Sequence, residues 1–244
     1  MTVTSTRTIQ CNKCGASVEV GWQEDLTPEI MRFQKVTAGL VACDACIETY
    51  EKQLQSDSKH ERLMDIMAAE LVTAKVLECR NMRFIEDGQF DGWDFKESFV
   101  LYGYVKHGKT SLARKLLYRA YEAGYSIGET TGAELASIGG SFDRVDKVRF
   151  NALMGADVLL IDDLDKAAWT RHNLSGFWNM MNSRENVSTI ITTNYSPEEC
   201  KHSLESRSDN ASLIRAAFSR LTPRRDIHMT TDNAKWSQGQ KTGN

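Results

Sequence analysis

No stretch of this 244-residue chain reaches the roughly 18 consecutive apolar residues of a membrane span, which excludes a transmembrane helix. Its first residues, Met-Thr-Val-Thr-Ser-Thr-Arg-Thr, lack the apolar core of a secretory signal, so the chain is expected to stay in the cytoplasm. Basic charge is not in excess. With 30 Lys and Arg against 33 Asp and Glu the formal net charge is −3, which excludes a broadly basic nucleic-acid coat but leaves room for a local basic groove. Cysteines number only six, and in a cytoplasmic chain they point to thiols or metal ligands rather than disulfides. The remaining composition, 41% hydrophobic and 26% charged, is that of a globular protein long enough for one large or two unequal domains.

What is present is organised around Gly103 to Thr110. An apolar run, Phe99 to Tyr102, leads into Gly103-Tyr104-Val105-Lys106-His107-Gly108-Lys109-Thr110, and a helical pattern opens at Ser111. Strand, then Gly-x4-Gly-Lys-Thr, then helix is the context of a phosphate-binding loop. Its free N–H groups, with Val105, Lys106, His107 and Ser111 in the set, and the helix N-terminus present partial positive charge to ATP phosphates. Lys109 adds a full charge, and the Thr110 hydroxyl is a ligand for Mg²⁺. Gly103 and Gly108 let the backbone turn without a Cβ in the way.

A second signal lies downstream. Val158 to Ile161 reads as a strand buried on both faces, and it ends in Asp162 and Asp163. At the carboxyl edge of an open parallel sheet, Asp162 would hold Mg²⁺ and Asp163 would position the attacking water. Val187 to Thr193 is another apolar strand, ending in Asn194, placed either to bond the water or γ-phosphate or simply to start the turn at Tyr195 to Pro197. Tyr125 to Thr131 reads as a strand followed by a helix from Gly132. The flexible segment Ile138 to Arg144, with Phe142, reads as a surface loop or a single-stranded nucleic-acid contact. Helices are expected over 170–183 and 213–221, and a last strand beyond Pro223.

The N-terminal part carries Cys11 and Cys14, then Cys43 and Cys46. Two Cys-x2-Cys pairs fit a four-thiolate structural Zn²⁺ site, with Gly15 suited to the tight turn and Ser17–Val20 to a short strand. Two chance pairs or a redox pair are the alternatives. Leu63, Ile66, Met67, Leu71 and Ala74 form one apolar stripe at helical spacing. That stripe either packs on the body or offers a partner-binding helix, and Cys79 reads as a buried thiol. Phe90 and Trp93 are placed either to stack on the adenine base or to pack against the first core strand.

Four stretches together, Gly103–Thr110, Leu159–Asp163, Thr189–Asn194 with Ser196–Glu199, and Phe218–Leu221, resemble the AAA+ ATPases of the DnaC/IstB type. The resemblance covers residues 84–230. It implies an α/β AAA+ P-loop core with a small N-terminal zinc-binding domain, divided as a zinc-ribbon-like module at 1–50, a helical linker at 51–83, the ATPase at 84–230 and a flexible tail at 231–244. By that resemblance Lys109 and Thr110 match the Walker A pair, Asp162 and Asp163 Walker B, Asn194 sensor 1, and Arg220 an arginine finger reaching a neighbouring subunit's nucleotide. The zinc module followed by a helix looks like the helicase loaders of the family, some of them phage-encoded and then placed in the host cytoplasm. The implied partners are a hexameric replicative helicase, single-stranded DNA and other copies of the chain, with no membrane. An IstB-like regulator of transposition and an ATP-gated adaptor with little turnover share the same core. The sequence departs from the pattern at Lys106, where the loop usually has glycine, at His107, where it has a small residue, and at Asp163, where many relatives have Glu. No clear sensor 2 arginine is seen, and the chain is short for a helical lid after Leu221.

Overall fold

The computed structural model describes residues 5–11, 13–22, 44–68, 71–208 and 210–230. They fall in two compact units, Met1–Met64 and Asp65–Asn244. In the first, β1 (Ser5–Gln10) and β2 (Ser17–Trp22) pair antiparallel, Ile9 opposite Val18. The second strand contains the alternating Ser17–Val20, whereas the first has threonines that alternate without an apolar face and carries no strand signal in its sequence. Helix α1 (Asp44–Ala68) has no Gly or Pro in 25 residues. Its surface is tied by i,i+4 contacts, Lys52 to Glu48 at 2.7 Å and Gln53 to Asp57 at 2.8 Å.

The second unit is a five-stranded parallel sheet in the order β4-β5-β6-β3-β7. Its strands are β3 (Ser98–Tyr102), β4 (Ile127–Thr131), β5 (Val158–Asp162), β6 (Ser188–Thr193) and β7 (Arg224–His228). β5 and β6 are buried at every position, as strands covered on both faces must be. On one face Val100, Leu159, Ile161 and Ile191 join Leu135, Leu174, Phe177, Ile214 and Phe218 in one core. Those residues come from α4 (Gly132–Gly139), α6 (Arg171–Ser183) and α8 (Ala211–Ser219). Phe99, Leu101, Leu160 and Ile190, alternating with the first set, belong to the other face with Leu112, Leu116 and Leu117 of α3 (Lys109–Glu122). The chain is completed by α2 (Lys75–Cys79), α5 (Arg144–Met154) and α7 (Pro197–Arg207), the last started by a Ser196–Glu199 capping box.

The apolar stripe of the sequence does not continue as one helix. Leu63, Ile66 and Met67 lie in α1, whereas Leu71 and Ala74 lie beyond its end. Leu71 instead covers the free edge of β4, its carbonyl accepting from Glu129 N–H at 2.7 Å. The Glu129 carboxylate accepts from Thr73 and pairs with Arg114 at 2.7 Å. Arg184, 2% exposed, donates to the carbonyls of Met154, Ala156 and Ser188 and to the Thr189 hydroxyl, joining the entries of β5 and β6. Burial pulls its guanidinium down to about 10, and the nearby Asp157 carboxylate offsets part of that.

Helices α4 and α6 cross where two glycines meet. A Cβ on Gly176 would stand 2.3 Å from the Gly139 carbonyl oxygen, inside backbone that cannot yield cheaply. Gly176→Ala is therefore expected to cost about 1–3 kcal/mol, the usual penalty of overpacking. A lowered urea midpoint with unchanged slope would show it.

Candidate functional site

β3 lies between β6 and β7, while the chain leaves it through α3 for β4 on the far side of the sheet. The strands diverge at this switch point, and the carboxyl ends of β3, β5 and β6 meet there. Three residues of the loop after β3 take left-handed backbone: Gly103 at φ 140°, Lys106 at 69° and Gly108 at 84°. At Gly103 a Cβ would fall 2.6 Å from the Met229 carbonyl, so the loop and the end of β7 are in backbone contact there. The position the family usually fills with glycine thus does need left-handed geometry, and Lys106 adopts it at a cost. His107 is buried, with Nδ1 2.9 Å from the Met229 carbonyl oxygen, so its bulk is directed to β7. Tyr104 and Val105 are exposed.

Lys109 is 6% exposed, and its ammonium donates to Gly103 O and Tyr104 O, both at 2.8 Å, and to Asn194 Oδ1 at 3.1 Å. Burial pulls its pKa below the ordinary lysine value, and the carboxylates of Asp163, Asp165 and Asp162 offset part of that. One residue on, Thr110 Oγ1 donates to Asp162 Oδ1 at 2.8 Å, and Thr192 donates to the same oxygen. Thr110 and Asp162 come from α3 and β5, so only the folded sheet makes them neighbours. An all-oxygen pair of a hydroxyl and a carboxylate fits the preference of Mg²⁺.

Asp163 follows at φ 53°, its N–H donating to Thr192 Oγ1 at 2.8 Å. Its carboxylate pairs with Lys166 at the end of the short turn Leu164–Lys166. Asn194 donates from Nδ2 to Asp165 Oδ2 at 3.1 Å and from its backbone to Oδ1 at 3.2 Å. Asp165 and Thr192 are the residues the sequence reading missed. The run Asp162-Asp163-Leu164-Asp165 carried the signal for the former, a third acid beyond a buried leucine, while Thr192 gave none, being one of four polar residues in β6.

Ser111 sits in the first turn of α3 with its hydroxyl hydrogen-bonded to Cys79, whose thiol burial pushes up. Beside the loop, Tyr102, Tyr104, Asn194, Tyr195, Glu199 and His228 line an open cavity of about 560 Å³. Arg220 is not joined to this constellation: it pairs with Glu185 at 2.9 Å and lies over the Trp178 ring. Phe90 and Trp93 do not line a base pocket. They are 0% and 6% exposed, set edge-on against Phe99 at 4.9 and 5.1 Å, because ring burial behind β3 outweighs leaving either ring open. Phe142 stands 80% exposed with the Lys147 ammonium 5.5 Å from its ring.

In the N-terminal unit the sulfurs of Cys11, Cys14 and Cys46 lie within 4.8 Å of one another. Thiolates bound tetrahedrally to one Zn²⁺ stand about 3.8 Å apart, from a Zn–S bond of about 2.3 Å, so the cluster fits that ion. Lys13 N–H points at Cys11 Sγ at 3.4 Å, and Gly15 closes the turn at φ 76°. Cys43 and the 231–244 tail lie outside the described residues.

Residues 99–216 match the family described as ATPase family associated with various cellular activities (AAA). No curated protein matches the sequence. The chain is similar in fold to the crystal structure of DnaI, at 19% identity and TM-score 0.54, over 67% of this chain and 94% of that one. It is also similar to the DnaC helicase loader, at 16% identity and TM-score 0.50, over 65% of this chain and all of the other. AMPPCP-bound DnaA from Aquifex aeolicus matches at 18% identity and TM-score 0.47, over 60% of this chain. Against that DnaA the chain spans 44% of the length, and against a DNA replication initiation factor 40%. The parallel sheet, the loop and the flanking helices are those of an AAA+ P-loop NTPase, the fold of the DnaC-type ATPases.

If Lys106 bears left-handed strain, Lys106→Gly relieves about 1–2 kcal/mol and returns part of it to the freer unfolded chain. A net gain of about 0.5–1 kcal/mol is expected, and β-branched Lys106→Val should lose stability. Denaturant melts of the two variants check the sign.

Proposed function

We propose, taking residues 99–216 as an AAA-type ATPase domain, that this chain hydrolyses ATP and loads a hexameric replicative helicase onto single-stranded DNA. The observation that carries the ATPase reading is the joined set Thr110, Asp162 and Thr192 beside Lys109, Asn194 and Asp165 at the carboxyl edge of the sheet. In this reading the N–H groups from Gly103 to Ser111 receive the phosphates. Lys109 exchanges loop carbonyls for phosphate oxygens. Thr110 and Asp162 would hold Mg²⁺, which neutralises charge on the phosphates. Asp163 accepts from the attacking water, and Asn194, its amide oriented by Asp165, fixes that water or the γ-phosphate. Arg220 would act on a neighbouring copy's nucleotide after leaving Glu185.

Support for the loader reading comes from the fold shared with DnaI and the DnaC helicase loader, joined to an N-terminal cysteine cluster and a long helix. Cys43 would supply the fourth thiolate beside Cys11, Cys14 and Cys46. Four thiolates leave no open position, so the zinc would be structural and would supply much of the folding free energy of so small a module. The domain limits 1–50, 51–83 and 84–230, and the self-association of the ATPase body, belong to this proposal.

Lys109→Ala should abolish ATP binding, measured by titration of a fluorescent ATP analogue. Unchanged affinity would remove the ATPase reading. The protein should carry one zinc per chain, and Cys14→Ser should release it, as metal analysis will show. Native mass measurement of the protein with a hexameric helicase, with and without ATP, tests the loader assignment. A preference for duplex DNA with no helicase complex would favour the transposition regulator instead.

A further inference from the structure

We infer that Lys166 throttles ATP hydrolysis by holding Asp163, so that the site turns over below the rate its geometry permits. The inference rests on the reading of Asp163 as the acid that accepts from the attacking water. Asp163 has little backbone freedom. Its N–H is bound to Thr192, its φ is left-handed, and Gly132 packs so closely that a Cβ there would fall 2.8 Å from the Asp163 carbonyl oxygen. What remains free is the carboxylate, and Lys166 occupies it. Among the described residues, the Lys166 ammonium has no other hydrogen-bond partner.

Lys166 is itself held in place from below. Leu164 and Ala167, on either side of it in sequence, are 0% and 2% exposed, and Lys166 N–H donates to Asp163 O at 3.0 Å. The turn therefore presents the ammonium to the carboxylate three residues back whenever the domain is folded. An ammonium there competes with water for the oxygen lone pairs and fixes the carboxylate in the pose that suits the lysine. Two facts keep the effect small. The side chains are 57% and 32% exposed, and ion pairs so open to solvent are weak and screened by salt. The result is a throttle and not a lock.

The test is steady-state hydrolysis by Lys166→Met, Lys166→Arg, Asp163→Asn and the Asp163→Asn/Lys166→Met double variant, at one protein concentration. Lys166→Met is expected to raise kcat about three- to fivefold with KM for ATP unchanged, in keeping with the small worth of an open pair. Lys166→Arg should stay near the wild-type rate. The double variant should be as slow as Asp163→Asn alone, since the effect runs through that carboxylate. Raising the salt concentration should narrow the gap between wild type and Lys166→Met. An unchanged or lowered kcat in Lys166→Met, or a change confined to KM, overturns the inference. If Asp163→Asn hydrolyses ATP as fast as wild type, the assignment of Asp163 itself fails, and the inference fails with it.

Discussion

A buried ammonium held by neutral oxygens is the constraint around which this site is built. Lys109 has three N–H donors, and the Gly103 carbonyl, the Tyr104 carbonyl and the Asn194 amide oxygen take one each. No carboxylate is among them, so the charge is solvated but not cancelled. Three acids, Asp162, Asp163 and Asp165, act on it through space instead. Burying a cation this way is costly unless every donor is satisfied, and the cost falls when an anion arrives. In the proposed function the carbonyls of Gly103 and Tyr104, which accept from Lys109, would stand in for phosphate oxygens.

The rest of the domain serves to bring that ammonium and Asp162 to one edge. Strands β5 and β6 are buried on both faces, which fixes their register against β3 and β4. Because register is fixed, Thr192 lies beside Asp162, and Asn194 lies over Asp165. The close crossing at Gly139 and Gly176 and the Arg184 cage act at the opposite end of the strands or behind them. They hold the layers so that the polar ends need not.

The parts of this arrangement that were legible in the sequence are those encoded locally. Gly103–Thr110 declares its turn by glycine spacing, and Asp162 is marked by the apolar strand that precedes it. Cys11, Cys14 and Cys46 were likewise readable from spacing alone. Asp165, Thr192 and Arg184 were not, because each gains its role from a partner 28 to 30 residues away. Phe90 and Trp93 left two readings open, since an aromatic before a strand looks the same whether it lines a cleft or fills a core. The stripe through Leu71 and Ala74 has helical spacing, yet α1 ends at Ala68 and Leu71 covers the free edge of β4. Edge protection is a demand of the sheet, and nothing in the local pattern announces it.

Two positive groups outside the loop, one that the proposed mechanism employs and one that restrains it, are engaged within the isolated chain. Lys166 holds Asp163, and Arg220 holds Glu185 while lying on Trp178. Both pairs are partly open to solvent, and pairs of that kind contribute up to about 1 kcal/mol. Breaking them therefore costs far less than the several kcal/mol that a hydrogen-bonded phosphate or a neighbouring subunit can return. Such a weak restraint has a particular use. On the proposed function it would slow hydrolysis without a large rearrangement, because the strained elements, Lys106 and Asp163, set the backbone and the ion pairs involve side chains alone. A switch between slow and fast turnover would then need only a change of side-chain partners.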